Sequence, residues 1–277
     1  METNIQTNKE YYDQLYGQTK VQEIVYRARN FEAFLDNAIK TDTSWHGMYQ
    51  GGYKDRLAGK RVLELGAGDG LNSAIMALLG AKVIAIDISD GTGTIISEIN
   101  TQLGTRIDSF TGDFLLMNFQ PESFDFVIGK AFLHHLTHEL EEEYLCKVAR
   151  LLRKDGEARF FEPAVNSMVL DKIRWMVPVP DRPSIFNKRA FRTWKSNDPH
   201  PARDNSSDHF RQIGKQYFGE VNIVLIGSIE RFYRLIPDGK INRRFRRWAH
   251  RVEPYLPAFF RYFAARSQLI VFRKPLG

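Results

Sequence analysis

Short apolar runs, four to six residues each, recur along this chain between polar or glycine-bearing stretches. Segments 62–65, 83–86, 106–110, 124–129, 158–161, 221–226 and 268–272 read as strands, being rich in Val, Ile and Phe and bounded by turn residues. Segments 71–79 and 145–152 read as apolar-faced helices between them. Residues 1–54 place Ile24, Tyr26, Phe31, Phe34, Leu35 and Ile39 at helical spacing, which predicts a helical cap ahead of the strands. Strands alternating with helices predict an α/β fold.

The densest signal lies where the first strand ends. Val62-Leu63-Glu64-Leu65 runs into Gly66-Ala67-Gly68-Asp69-Gly70, and the helix starts at Leu71. Glycines there let a ligand approach the backbone, and free N–H groups at the helix start attract negative charge. A dinucleotide loop would place its third glycine at position 71, which is Leu. No Gly-Lys-Ser/Thr follows, so a phosphate-binding Walker loop is excluded. Asp87 ends the second strand and suits the two hydroxyls of a ribose. Gly112-Asp113-Phe114 offers a carboxylate and a ring for a base, and Phe124-Asp125-Phe126-Val127-Ile128-Gly129 leads into Lys130-Ala131-Phe132-Leu133-His134-His135-Leu136.

In this order the motifs resemble those of the Rossmann-like (class I) S-adenosylmethionine-dependent methyltransferases, small-molecule or lipid type, over roughly residues 55 to 165. The resemblance implies a seven-stranded, mostly parallel sheet whose last strand is antiparallel. It also implies S-adenosyl-L-methionine as cofactor and S-adenosyl-L-homocysteine as product. Glu64, Gly66, Ala67, Gly68 and Gly70 would hold the amino acid end of the cofactor, Asp87 the ribose, and Asp113 with Phe114 the adenine, with Ile88 a further cofactor-binding candidate. Lys130, and Tyr11 and Trp45 from the cap, are further cofactor-binding candidates.

The expected organisation is a cap over 1–54 and a catalytic domain over 55–277. Residues 163–216 are a proline-rich insertion after strand five, including Pro180 and Pro199, and are expected to act as an acceptor lid. Residues 231–265 are expected to form basic aromatic helices inserted before the last strand. Within the lid, His200, Arg203 and His209 are candidate acceptor contacts. No metal is expected, because the spacing of these histidines and aspartates matches no common ligand pattern.

Charge sharpens this division. The chain carries a net +6, yet residues 231–277 hold twelve Lys and Arg against Asp238 and Glu253. Arginines interleaved with Ile241, Phe245, Trp248 and Tyr255 suit a helix at an anionic membrane surface, a nucleic acid, or a solvated cover for the core. No apolar run near 18 residues and no charged-then-apolar leader is seen, and Cys146 is the one cysteine. A cytoplasmic protein is expected, with peripheral membrane contact through 231–274 as an extension. Cys146 is expected to pack as a small apolar group.

Methyl transfer to oxygen needs alignment and a base, for which His134, His135 and Glu162 are candidates at the carboxyl ends of strands four and five. Gly129-Lys130-Ala131-Phe132 lacks the Asn/Asp-Pro-Pro-Tyr/Phe of base-amine methylation, and Cys146 has no preceding proline for carbon-5 chemistry. Both observations argue against nucleic acid as acceptor. The expected acceptor is a small molecule or a glycan- or lipid-linked compound. The alternatives are N-methylation of a small metabolite, an NAD(P)-dependent oxidoreductase, or a catalytically silent cofactor-binding subunit.

Overall fold

In the computed structural model, which describes residues 2–16, 20–179, 182–196, 198 and 200–276, seven strands form one sheet. They are β1 (Arg61–Leu65), β2 (Lys82–Asp87), β3 (Asp108–Thr111), β4 (Phe124–Lys130), β5 (Leu152–Pro163), β6 (Phe218–Ile226) and β7 (Ser267–Pro275). Their order is β3-β2-β1-β4-β5-β7-β6. The first five pair in parallel, and β7 lies antiparallel between β5 and β6. All seven predicted strands are present. β5 begins earlier than its apolar run, because its register against β4 slips between Leu152 and Glu157. Pro180 and Pro199 of the predicted insertion lie outside the described residues.

Twelve α-helices accompany the strands among the described residues. α1 (Glu2–Tyr16), α2 (Val21–Arg29), α3 (Phe31–Thr41) and α4 (Thr43–Met48) form the predicted cap. α5 (Leu71–Leu78), α6 (Asp90–Leu103) and α7 (His138–Leu151) connect the parallel strands. Gly70 starts α5 in the left-handed conformation, Ser89 caps α6 through Gly91 N, and Thr137 caps α7 through Leu140 N. α8 (Met168–Met176), α9 (Lys188–Ser196) and α10 (Ser207–Tyr217) fill the insertion after β5. α11 (Lys240–Val252) and α12 (Ala258–Ala264) fill the one before β7.

The sheet buries both faces. One face packs with α2–α5 around Ile24, Trp45, Tyr49, Ile75, Ile128 and Val271; the other packs with α7 and α10 around Leu63, Val127, Leu145, Phe210 and Phe272. Cap and sheet therefore share one core. Arg159 of β5 locks them together: its buried guanidinium donates to the carbonyls of Met48 (3.0 Å) and Gln50 (2.9 Å) and pairs with Glu157. α10 belongs to the body, with Phe210 and Ile213 buried, whereas α8 and α9 bury no residue. Only the first part of the predicted lid thus stands off the sheet. Cys146 lies on α7 as expected but is exposed, since the buried face of that helix is taken by Leu145, Val148 and Ala149. Among the described residues no helix is long and apolar enough to cross a membrane.

Candidate active site

At the carboxyl edge of β1, β2 and β4 lies a cavity of about 320 Å³, within the size range of small-ligand sites. Gly66, Asp87, Ile88, Phe114 and Lys130 line it, as do His134, His135 and His200. Asp87 is its acidic wall. The Asp87 carboxylate accepts from Gly68 N (2.8 Å) and Ser89 N (2.9 Å), and burial still raises its pKa. Gly68 has φ +57°, and a Cβ there would meet the Tyr16 hydroxyl at 2.7 Å. The backbone at this turn has no room for a side chain.

Other candidates occupy positions behind the cavity. Glu64 is buried; one of its oxygens accepts from Asn72 Nδ2 (2.7 Å) and the other from Ser73 Oγ, which fastens β1 to α5. Its burial pushes the pKa up to about 7. Ala67 and Gly70 shape the turn without lining the cavity, Gly70 as the left-handed start of α5. Asp113 accepts from Leu115 N and from the Tyr144 hydroxyl, both at 2.9 Å, and so positions Tyr144, which does line the cavity. Trp45 packs on Phe34 and Tyr49, with Lys130 Nζ 4.3 Å from its ring, and Tyr11 is partly exposed. Neither is among the residues that line the cavity. Asn8, Tyr12 and Tyr16 of α1 cover the cavity instead. Tyr12 and Tyr16 are one helical turn apart and stack at 5.5 Å. That i, i+4 spacing was the signal in the sequence.

The turn at 133–135 is held from both ends. Glu162, fully buried at the end of β5, accepts from the backbone N–H of Phe132 (2.9 Å), Leu133 (2.7 Å) and His134 (3.3 Å), and from His134 Nδ1 at 2.6 Å. Arg203 donates to the carbonyls of Leu133 (2.7 Å) and Leu136 (2.8 Å) while pairing with Glu141 at 2.7 Å. His209 Nε2 sits 2.7 Å from the same Glu141 oxygen. Arg203 therefore clamps this turn and His209 braces Glu141 beside it; neither is among the residues that line the cavity. Local sequence could not show this, since Arg203 and Leu133 are 70 residues apart.

The three cavity histidines differ in what holds them. His135 contacts Asn8 Oδ1 through Nδ1 and the Tyr12 hydroxyl through Nε2, both at 3.2 Å, so each ring nitrogen is engaged. Burial, then the neighbouring His134 and His200, push its pKa down to about 2. His200 bonds Asp198 Oδ1 through Nδ1, and burial lowers its pKa. One ring nitrogen each of His134, His135 and His200 lies within 4.8 Å of the others, as do ligand atoms of His138, Glu141 and His209. The sequence spacing concealed both groups. In the second, the Arg203 guanidinium already supplies the positive charge.

A further cavity, about 780 Å³, adjoins the first; Ala131 and His134 line both. Ala131 has φ +59°, a left-handed conformation that costs a non-glycine residue about 1 kcal/mol or more. Its N–H is held by the Phe161 carbonyl at 2.7 Å.

Residues 62–156 match the family model described as "Methyltransferase domain". Among curated proteins, the chain is 33% identical over 122 residues to the ubiquinone biosynthesis O-methyltransferase of Ruegeria sp., covering 44% of each chain. It is 33% identical over 104 residues to the cypemycin N-terminal methyltransferase of Streptomyces sp., covering 37% of this chain and 41% of that one. The chain spans less than half the length of these relatives. Among solved structures it is similar in fold to Haemonchus contortus phosphoethanolamine N-methyltransferase 2 in complex with phosphomonomethylethanolamine and S-adenosylhomocysteine. The TM-score is 0.56 at 13% identity, covering 93% of this chain and 60% of that one. The family match ends at residue 156, ahead of both insertions.

Proposed function

We propose that this chain is a class I S-adenosylmethionine-dependent methyltransferase, that the 320 Å³ cavity takes this cofactor and that His134 deprotonates an acceptor oxygen presented from the adjoining cavity. The observation that carries this reading is the position of His134, which lines both cavities and has its Nδ1 held by Glu162. A carboxylate at Nδ1 keeps the proton there and leaves the Nε2 lone pair as the base. His135 has no such free nitrogen, because Asn8 and Tyr12 engage both.

The cavity residues fit the cofactor. Gly66 brings the backbone of the turn to the cavity wall, Asp87 is a buried carboxylate suited to ribose hydroxyls, and Phe114 with Tyr144 offers faces for a base. Lys130 lines the same cavity. When bound, S-adenosylmethionine supplies an activated methyl group for in-line displacement. The protein's part is alignment, exclusion of water by α1, and removal of the acceptor proton by His134. The methyltransferase-domain match favours this over nicotinamide-dependent oxidation. Matches to both an O- and an N-methyltransferase keep a small-molecule amine as the second acceptor class.

The exposed Trp248, Tyr255, Phe259 and Phe263, set among the arginines of α11 and α12, support peripheral contact with an anionic membrane and a lipid-linked acceptor. The test is to incubate the protein with methyl-labelled S-adenosylmethionine and host extract, then partition the label. Label in the organic phase, abolished by His134→Ala, is the expected result. Label confined to small aqueous metabolites would overturn the lipid-linked acceptor. Undiminished labelling by His134→Ala would overturn the base.

A further inference from the structure

The cavity beside His134 has an unusual combination of walls. Arg174, Arg182, Arg231, Arg234 and Arg266 line it, and no carboxylate does among its described lining residues. The nearest acidic groups do not balance them. Asp171 lies 3.3 Å from Arg174, and buried Glu230 is shared between Arg266 (3.4 Å) and Arg246 (2.7 Å). Among the described residues, Arg182 and Arg231 hydrogen-bond to backbone carbonyls, Arg182 to those of Arg174 and Val177, and Arg231 to that of Ala264. The Arg174 atom facing Asp171 is its Nε, and the buried Nε of Arg182 has no hydrogen-bond acceptor among the described residues.

These guanidiniums are also crowded. Arg174 and Arg182 sit 4.6 and 5.1 Å from the same Trp175 ring. Burial first, and neighbouring arginines next, lower the pKa of Arg182 to about 10 and depress that of Arg231. Like charges crowded on one wall and only partly matched by Asp171 and Glu230 are costly, and a bound anion would relieve them. Bidentate guanidinium donors suit phosphate or carboxylate oxygens.

The remaining wall is apolar. Leu170, Ile173, Trp175, Trp194, Phe232 and Phe260 contribute to it, and Ile173 and Phe232 are about half exposed at 48% and 50%. Exposed Met168, Val169, Phe259 and Phe263 extend the apolar surface along α8 and α12. Apolar side chains left open around an arginine cluster match a ligand with one charged end and one greasy part.

We infer that this cavity is the acceptor site and that its acceptor is an anionic amphiphile, an oxyanion such as phosphate joined to an apolar body. This deepens the function proposed above and rests on it. The oxyanion is held by the arginines, the apolar body lies against Trp175, Trp194 and Phe232, and the methyl-accepting atom reaches His134 at the junction with the cofactor cavity.

The test uses the full chain and its tryptophan emission, since Trp175 and Trp194 line the cavity. Octyl phosphate, octanol and inorganic phosphate are titrated separately, and S-adenosylmethionine affinity is measured on the same sample. Octyl phosphate should give a saturable change and bind about tenfold or more tightly than either other probe. Arg174→Gln and Arg234→Gln should each weaken octyl phosphate about tenfold or more, the loss of one charge-assisted contact. Both should leave octanol and S-adenosylmethionine affinities unchanged. Octanol binding as tightly as octyl phosphate would overturn the oxyanion, and inorganic phosphate binding as tightly would overturn the amphiphile. Loss of S-adenosylmethionine binding by the unsubstituted chain would strike the cofactor assignment instead.

Discussion

His134 Nδ1 lies 2.6 Å from Glu162 Oε2, and the same carboxylate accepts the backbone N–H groups of Phe132, Leu133 and His134. One buried side chain thus sets both the course of the turn and the proton position on the imidazole. Replacing the two residues should separate these roles. His134→Ala should lower kcat by about 10²-fold or more, the usual worth of a positioned base, with S-adenosylmethionine affinity little changed. Glu162→Ala should also lower the melting temperature, because buried backbone donors lose their acceptor at about 1–3 kcal/mol each. Turnover against a purified acceptor, with calorimetry on both variants, checks this. Equal thermal stability of the two variants would contradict the capping role.

Asp87 faces the cofactor cavity while accepting from Gly68 and Ser89. Asp87→Ala should weaken S-adenosylmethionine by about tenfold or more, through a lost charge-assisted bond and a loosened glycine turn. Isothermal titration decides it: parent-like affinity in the variant would displace the ribose from this carboxylate.

Tyr16 covers Gly68, and Tyr12 donates to or accepts from His135 at 3.2 Å, so α1 closes the cavity from above. Tyr16→Ala should speed cofactor release more than it slows association, as interface changes generally act on off-rates. Stopped-flow binding would show this as a raised dissociation rate. An unchanged rate would make α1 a passive cover.

Acid should weaken the fold. His135 and His250 have pKa values pushed down to about 2 and about 3, mainly by burial, from an ordinary 6.5. Below pH 6.5 the unfolded chain takes up protons that the folded chain refuses, so stability is lost as pH falls through that value, by up to about 1.4 kcal/mol per pH unit for each histidine. Glu64 acts oppositely: raised to about 7, it binds a proton in the folded state first and gains stability as pH falls from 7 toward 4.5. Two histidines outweigh one carboxyl, so the melting temperature should drop between pH 6.5 and 5. His250 stacks on His46 at 4.1 Å with neither ring nitrogen bonded, and His250→Phe should flatten that drop. A melting curve unchanged in its pH dependence would reject His250 as a contributor.

What the sequence determined by itself is local. Strand identity follows from apolar runs of period two or less, and the turn Gly66–Gly70 follows from the backbone room a ligand needs. Asp87 is tied to that turn by its place at the end of β2. These features depend on neighbours in the chain or on adjacent parallel strands, so the residue pattern carries them. Tertiary structure decided the rest. It set Arg203 against a turn 70 residues away, His209 against Glu141, and Tyr12 against His135 across 123 residues. It also gathered arginines from α8, from the residue 182 segment, from 231–234 and from position 266, just ahead of β7, around one cavity. In the sequence those charges read as a basic tail and a scattered lid, because charge has no period that reveals which helices will face one another. Only the tertiary arrangement of the two insertions beside the end of β5 and the start of β7 brings these arginines to one cavity.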